Sequence, residues 1–176
     1  MPRLVVVSGP PGAGKSTLAD ALGLQLGATV AGYDWLMSAL RSLPEVWQAV
    51  ELPLDRRGMV GVTLLSRVAE QQLRRGADCI LDVVARETAV RAWRALAAEN
   101  GASFRLIECA CPDEAAHRAR IEGRERRIPG WYELSWEAAA TSRENYAPLP
   151  EPKLVLDTMQ AAEANLARAL AFVRAR

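Results

Sequence analysis

Short, almost continuous apolar runs at residues 4–8, 28–31, 79–84, 104–109 and 153–156 alternate with longer stretches of helical periodicity. The apolar runs are too short for helices and are rich in Val, Ile and Leu, the pattern of strands buried on both faces. Helices are predicted over 15–26, over 34–43 (stopping before Pro44), over 57–75 and over 88–100. The third of these carries Val62, Leu65, Val68, Ala69 and Leu73 on one face, and Gly76 ends it. Pro112 opens a further helix, at a position where proline is tolerated, and two more are expected over 135–146 and 160–174. Residues 44–55, bracketed by Pro44 and Pro53, read as irregular, as do 128–132 and the loop holding Pro148, Pro150 and Pro152.

Strand and helix alternating along the whole length predict an α/β fold with three layers, a parallel sheet covered by helices on both faces. A length of 176 residues fits a single domain over 1–176, with half of the residues hydrophobic and 24% charged. That composition excludes a disordered chain. The net charge of +1 gives no ground for bulk binding to nucleic acid or to an acidic membrane surface. The apolar run at 4–7 is far too short for a signal peptide and nothing approaches a membrane span, so a cytoplasmic protein with no membrane partner is expected. Cys79 and Cys109 fall in predicted buried strands. With Cys111 and the distant His117 they are too few for a typical zinc site.

One segment carries chemistry by itself. Gly9-Pro10-Pro11-Gly12-Ala13-Gly14-Lys15-Ser16 matches G-x-x-x-x-G-K-[ST], and it lies between a predicted strand and a predicted helix. The glycines let the backbone wrap an anion with its N–H groups inward, and the helix N-terminus adds partial positive charge. Lysine occurs only at Lys15 and Lys153 in an arginine-rich chain, so its presence in this loop is not background. Lys15 is expected on the β- and γ-phosphates of a nucleotide, Ser16 on Mg²⁺ and Thr17 on a phosphate.

Two carboxylates extend the site. Asp34 directly follows the second strand, at the carboxyl end where ligands bind in such sheets. Two roles fit it: accepting the proton of an acceptor hydroxyl, or capping the next helix. Asp82 stands in the apolar strand Cys79-Ile80-Leu81-Asp82-Val83-Val84, where an acid is costly unless a cation such as Mg²⁺ accompanies it. Arg118, Arg120, Arg124, Arg126 and Arg127 cluster after the fourth strand, in a lid predicted over about 115–147. On a helix Arg120, Arg124 and Arg127 share one face and together form a phosphate clamp. The bland reading is a solvated face paired with Glu114, Glu122 and Glu125.

Gly9 to Thr17, Asp34, Asp82 and the arginine segment together resemble the small P-loop kinases, an AAA-type, zeta-toxin-like group. Residues 32–40, the stretch from Ile80 through Arg94 and the arginine spacing are most similar to chloramphenicol phosphotransferases. The polynucleotide 5′-kinase domain is also similar. The resemblance implies a sheet in the order 2-3-1-4-5, ATP with Mg²⁺, Asp34 as base, and Asp157-Thr158 near the adenine. Leu36 and Met37 stand where the polynucleotide kinases carry an arginine, which disfavours a nucleic-acid acceptor. The expected activity is phosphoryl transfer to a hydroxyl of a small molecule, an antibiotic among them. A nucleotide or nucleic-acid 5′-end kinase and a non-catalytic nucleotide switch are the alternatives. Trp35, Met37, Trp47, Met59, Trp131 and Trp136 are candidate acceptor walls or core, and Arg86 a candidate contact for acceptor or phosphate.

Overall fold

The computed structural model describes residues 1–51 and 53–175. Five strands, β1 (Arg3–Ser8), β2 (Thr29–Gly32), β3 (Cys79–Asp82), β4 (Ser103–Ala110) and β5 (Leu154–Asp157), form one parallel sheet in the order β2-β3-β1-β4-β5. Residue alternation along the central strand explains the layers. Leu4 and Val6 of β1 face a core shared with α4 (Leu54–Arg74) and α5 (Glu87–Glu99), through Leu65, Ala69, Val90 and Trp93. Val5 and Val7 face the opposite core, built with Leu18 and Leu22 of α1 (Lys15–Leu26) and Ala169 and Val173 of α8 (Ala162–Arg174). Trp93 is fully buried and settles its indole N–H on Ser66 Oγ at 2.9 Å. The expected α/β architecture and strand order are those observed.

All five strands point their carboxyl ends to one edge, so the loops leaving β1, β2, β3 and β4 converge there. The register sets Val7 and Gly32 on either side of Asp82. That brings the end of the loop-bearing strand, the acid and the start of α2 (Tyr33–Arg41) together.

Two expectations fail. Most of the segment read as irregular is helical: α3 (Pro44–Glu51) begins at its proline, and α4 begins at Leu54, just after Pro53. Leu52, also in that segment, lies outside the described residues. Proline in a first helical turn costs no hydrogen bond, so Pro44 starts a helix instead of breaking one. Trp47, 8% exposed, anchors it against Trp131 at 5.9 Å. The second failure concerns the arginines. The helix after β4, α6 (Glu114–Glu122), stops at Gly123. A continued helix would send the Arg126 N–H to the Glu122 carbonyl. Instead it donates to Glu133 Oε1 at 2.9 Å, and Arg127 takes a φ of 53°. Arg120, Arg124 and Arg127 therefore do not share a helical face.

Candidate active site

The loop between β1 and α1 is built on glycines in conformations that exclude side chains. Gly9 has φ 139°, and a Cβ there would lie 2.2 Å from the carbonyl oxygen of Cys109 on β4. Gly12 and Gly14 have φ values of 81° and 82°. Gly14 is the N-cap of α1 and brings no side-chain cap bond, and the first turn of α1 holds no acid. The helix thus presents open N–H groups to an anion. Gly12, Gly14, Lys15, Ser16 and Thr17 line the cleft, while Ala13 is buried in the core beneath. Replacing Gly9 with Ala should force β1 and β4 apart and destabilise the fold by about 3 kcal/mol or more. Urea unfolding checks this, and a native midpoint would contradict it.

Lys15 is 8% exposed, and its Nζ donates to the Pro10 carbonyl at 3.0 Å. Burial pushes its ammonium below the ordinary lysine value, with Asp82, Cys109 and Asp34 pulling the other way. Asp82 is held above the usual carboxylate range by burial, opposed by Lys15 and the Ser16 hydroxyl. A buried acid and a buried amine, each penalised for its charge, form a site that a phosphate and a divalent cation would complete.

Asp34 is not the N-cap of α2; Gly32 is, without a side-chain bond. The carboxylate of Asp34 lies in the first turn and accepts from Arg126 Nη1. Arg126 is fixed in turn by Glu133 Oε2 at 2.9 Å and the Tyr132 carbonyl at 2.6 Å. Arg124 lies beside them, 3.4 Å from the same Glu133 oxygen. Burial and the neighbouring Arg126 push its guanidinium below its ordinary value, and two of its nitrogens are buried without a hydrogen-bond partner among the described residues. Arg120 sits elsewhere, donating to Thr158 Oγ1 at 2.9 Å and to the Thr158 carbonyl at 2.8 Å. Thr158 also stands over Gly14, 3.3 Å from where a Cβ would be. Arg127 does not join the cleft: its side chain is 85% exposed and pairs with Glu125. Arg118 likewise pairs with Glu122. The solvated-face reading therefore holds for those two, and the arginines of this cluster that line the cleft are 120, 124 and 126.

The cleft has a volume of about 2620 Å³ and runs from the glycine loop to α2, β3 and α4. Trp35, 56% exposed, Met59 and Trp131 line it, as does Arg86 at the start of α5. Met37 is fully buried, Trp47 packs on Trp131, and Trp136 packs on His117 at 5.5 Å, so these three serve the core. Sequence reasoning passed over Arg126 as the Asp34 partner, along with Glu133 and Tyr146. The Tyr146 hydroxyl is 3.0 Å from Ser8 Oγ, and burial raises its pKa. No periodicity marks residues in irregular segments, so no pattern pointed to them. Cys79, Cys109 and Cys111 are all buried free thiols, the first two pushed up to about 12 by burial. Lys153, the other lysine, pairs with Glu108 at 2.8 Å. Among the described residues no helix is long and apolar enough to cross a membrane.

A glycine loop of this shape between β1 and α1 of a 2-3-1-4-5 parallel sheet defines a P-loop nucleotide-binding protein with the fold of the small kinases. The family model of the AAA domain (AAA_33) matches residues 4–149, and the chain belongs to that family. No curated protein matches it. Among solved structures it is similar to a sugar kinase from Janibacter sp., with 23% identity, TM-score 0.66, and coverage of 98% of this chain and 94% of that one. A gluconokinase from Sinorhizobium meliloti is similar at 17% identity and TM-score 0.68, over 98% and 91%. The APS kinase of Mycobacterium tuberculosis, solved with AMPPNP and APS, is similar at 17% identity and TM-score 0.66, over 99% and 98%. At these identities the likeness is one of fold.

Proposed function

We propose that this protein is an ATP-dependent phosphotransferase that moves the γ-phosphate onto a hydroxyl of a small molecule. The observation that supports this most is the position of Asp34, an acid in the same cleft as the phosphate loop, met by an arginine from the segment that covers it. In this reading Asp34 accepts the proton of the acceptor hydroxyl as its oxygen attacks phosphorus. Lys15, Arg124 and Arg126 offset the charge on the transferring phosphoryl group. Arg120 and Thr158 close the nucleotide side. Residues of about 115–147 act as the lid, whose closure excludes water from the transfer.

Ser16 and Asp82 are the residues that would hold Mg²⁺. The penalty on a buried, ionised Asp82 is what a divalent cation removes, so the donor set fits. Bound there, Mg²⁺ supplies charge neutralisation at the β- and γ-phosphates. The acceptor side is walled by Trp35, Met59 and Trp131. Such a wall suits an acceptor with an aromatic or apolar body, in keeping with the resemblance to the chloramphenicol phosphotransferases.

The test is transfer from γ-labelled ATP with Mg²⁺ to a panel of chloramphenicol and other hydroxylated antibiotics, sugars, gluconate, nucleosides and a 5′-hydroxyl oligonucleotide. Label is expected in a small aromatic or apolar acceptor. Label in the oligonucleotide alone would move the reading to a nucleic-acid kinase. ATP binding with no label in any acceptor would favour a nucleotide switch.

A further inference from the structure

His117 is the chain's only histidine. It is fully buried on α6, and its Nε2 lies 2.6 Å from the carbonyl oxygen of Pro11, inside the phosphate loop. A carbonyl only accepts, so Nε2 carries the proton and donates. Nδ1 is buried and has no hydrogen-bond partner among the described residues. An apolar side chain would fill this space and leave no nitrogen unmet. What the imidazole adds over such a residue is its one bond to the loop.

That bond acts on a single peptide plane. In a planar trans peptide the C=O and the following N–H point in opposite directions. Holding the Pro11 carbonyl toward α6 therefore turns the Gly12 N–H away from α6, toward the cleft that Gly12 lines. The neighbouring donors are few. Pro10 and Pro11 have no N–H, and the Ala13 N–H is used on the Pro10 carbonyl at 3.2 Å. The Gly12 N–H makes no such backbone bond among the described residues. The fit against α6 is close as well: a Cβ on Gly12 would lie 2.6 Å from Ile121 Cδ1 and 2.9 Å from His117 Nε2.

We propose that His117 is a positioning residue for phosphate binding, which holds the Pro11–Gly12 peptide with its N–H facing the cleft. It thereby ties the phosphate loop to α6, the helix that carries Arg120. The inference rests on the reading of the loop as an ATP site.

Two variants and one measurement on the native protein test it. His117→Phe keeps a ring against Trp136 but has no donor. His117→Gln places an amide N–H at similar reach. With ATP and Mg²⁺ in a calorimeter, the Phe variant should bind about tenfold more weakly than native, and the Gln variant within about threefold of native. Equal binding by the Phe variant, or a Gln variant as weak as the Phe variant, overturns the proposal. Should the Phe variant not fold, the native protein decides. Its single imidazole should carry a proton on Nε2 in ¹⁵N spectra, and its Gly12 amide should shift strongly when ATP is added. A Gly12 amide unmoved by bound ATP overturns the proposal. Native protein that binds no ATP overturns the reading of the loop itself, and this inference with it.

Discussion

Replacing Lys15 with Ala is expected to lower phosphoryl transfer about a thousandfold while leaving the fold in place. The reason lies in the balance of charge at the site. Lys15 is 8% exposed, its ammonium bonds among the described residues to the Pro10 carbonyl alone, and burial holds it below its ordinary pKa. Without nucleotide, burial costs its charge more than Asp82, Cys109 and Asp34 return. The γ-phosphate, passing through a transition state with charge spread over its oxygens, is the partner that would repay the desolvation. Truncation should therefore spare the melting temperature of the nucleotide-free protein to within a few degrees and remove most of kcat. Transfer at the native rate would show that Lys15 contacts no phosphate. A collapse in melting temperature would show that the side chain serves the core.

The second large effect is expected at Asp34. Asp34→Asn should reduce kcat about a hundredfold to a thousandfold, the usual range for a lost general base, and leave the affinity for ATP unchanged. Asn keeps the shape and an oxygen for Arg126 to meet, so the change isolates basicity. The ion pair to Arg126 raises a competing account: the substitution loosens the lid, and the loss follows from that. Arg126→Ala separates the two, because it breaks the same pair and leaves the carboxylate. If Asp34 is the base, Asp34→Asn loses more in kcat, and Arg126→Ala loses relatively more in ATP binding. Equal losses in both parameters for both variants would reduce Asp34 to a latch for the lid.

The parts of this site that could be read without a structure are those whose chemistry is local. The phosphate loop is one contiguous segment. φ values of 139° and 82° occur where the motif places Gly9 and Gly14, and a third glycine of the loop, Gly12, takes 81°. Asp82 stood out because an acid in an apolar strand needs a partner. The alternation of apolar runs and helical periodicity foretold the layers for a similar reason: each strand and helix records in its own sequence which faces it buries.

The arginine segment shows where such reading stops. Spacing predicted a helical face of Arg120, Arg124 and Arg127, but the helix ended at Glu122 with Gly123 as its cap, and the Arg126 N–H met the Glu133 carboxylate instead of a helical carbonyl. Past that point each side chain points where its own partners hold it. Arg126 turns inward to Asp34 and Glu133, and its neighbour Arg127 turns out to Glu125. Glu133 lies seven residues from Arg126 with no period connecting them. His117 is a still more distant case, since its partner Pro11 is 106 residues away.

By itself, then, the sequence determined that this protein is a parallel α/β domain with a phosphate loop and an acid in its third strand, because backbone conformation and burial act within a few residues of the positions that encode them. The tertiary structure alone decided which arginine meets Asp34, which tryptophans face the cleft and what holds the loop against α6. Those outcomes depend on contacts between segments far apart in the chain, and in irregular segments no repeating geometry links a residue's place in the sequence to the direction of its side chain.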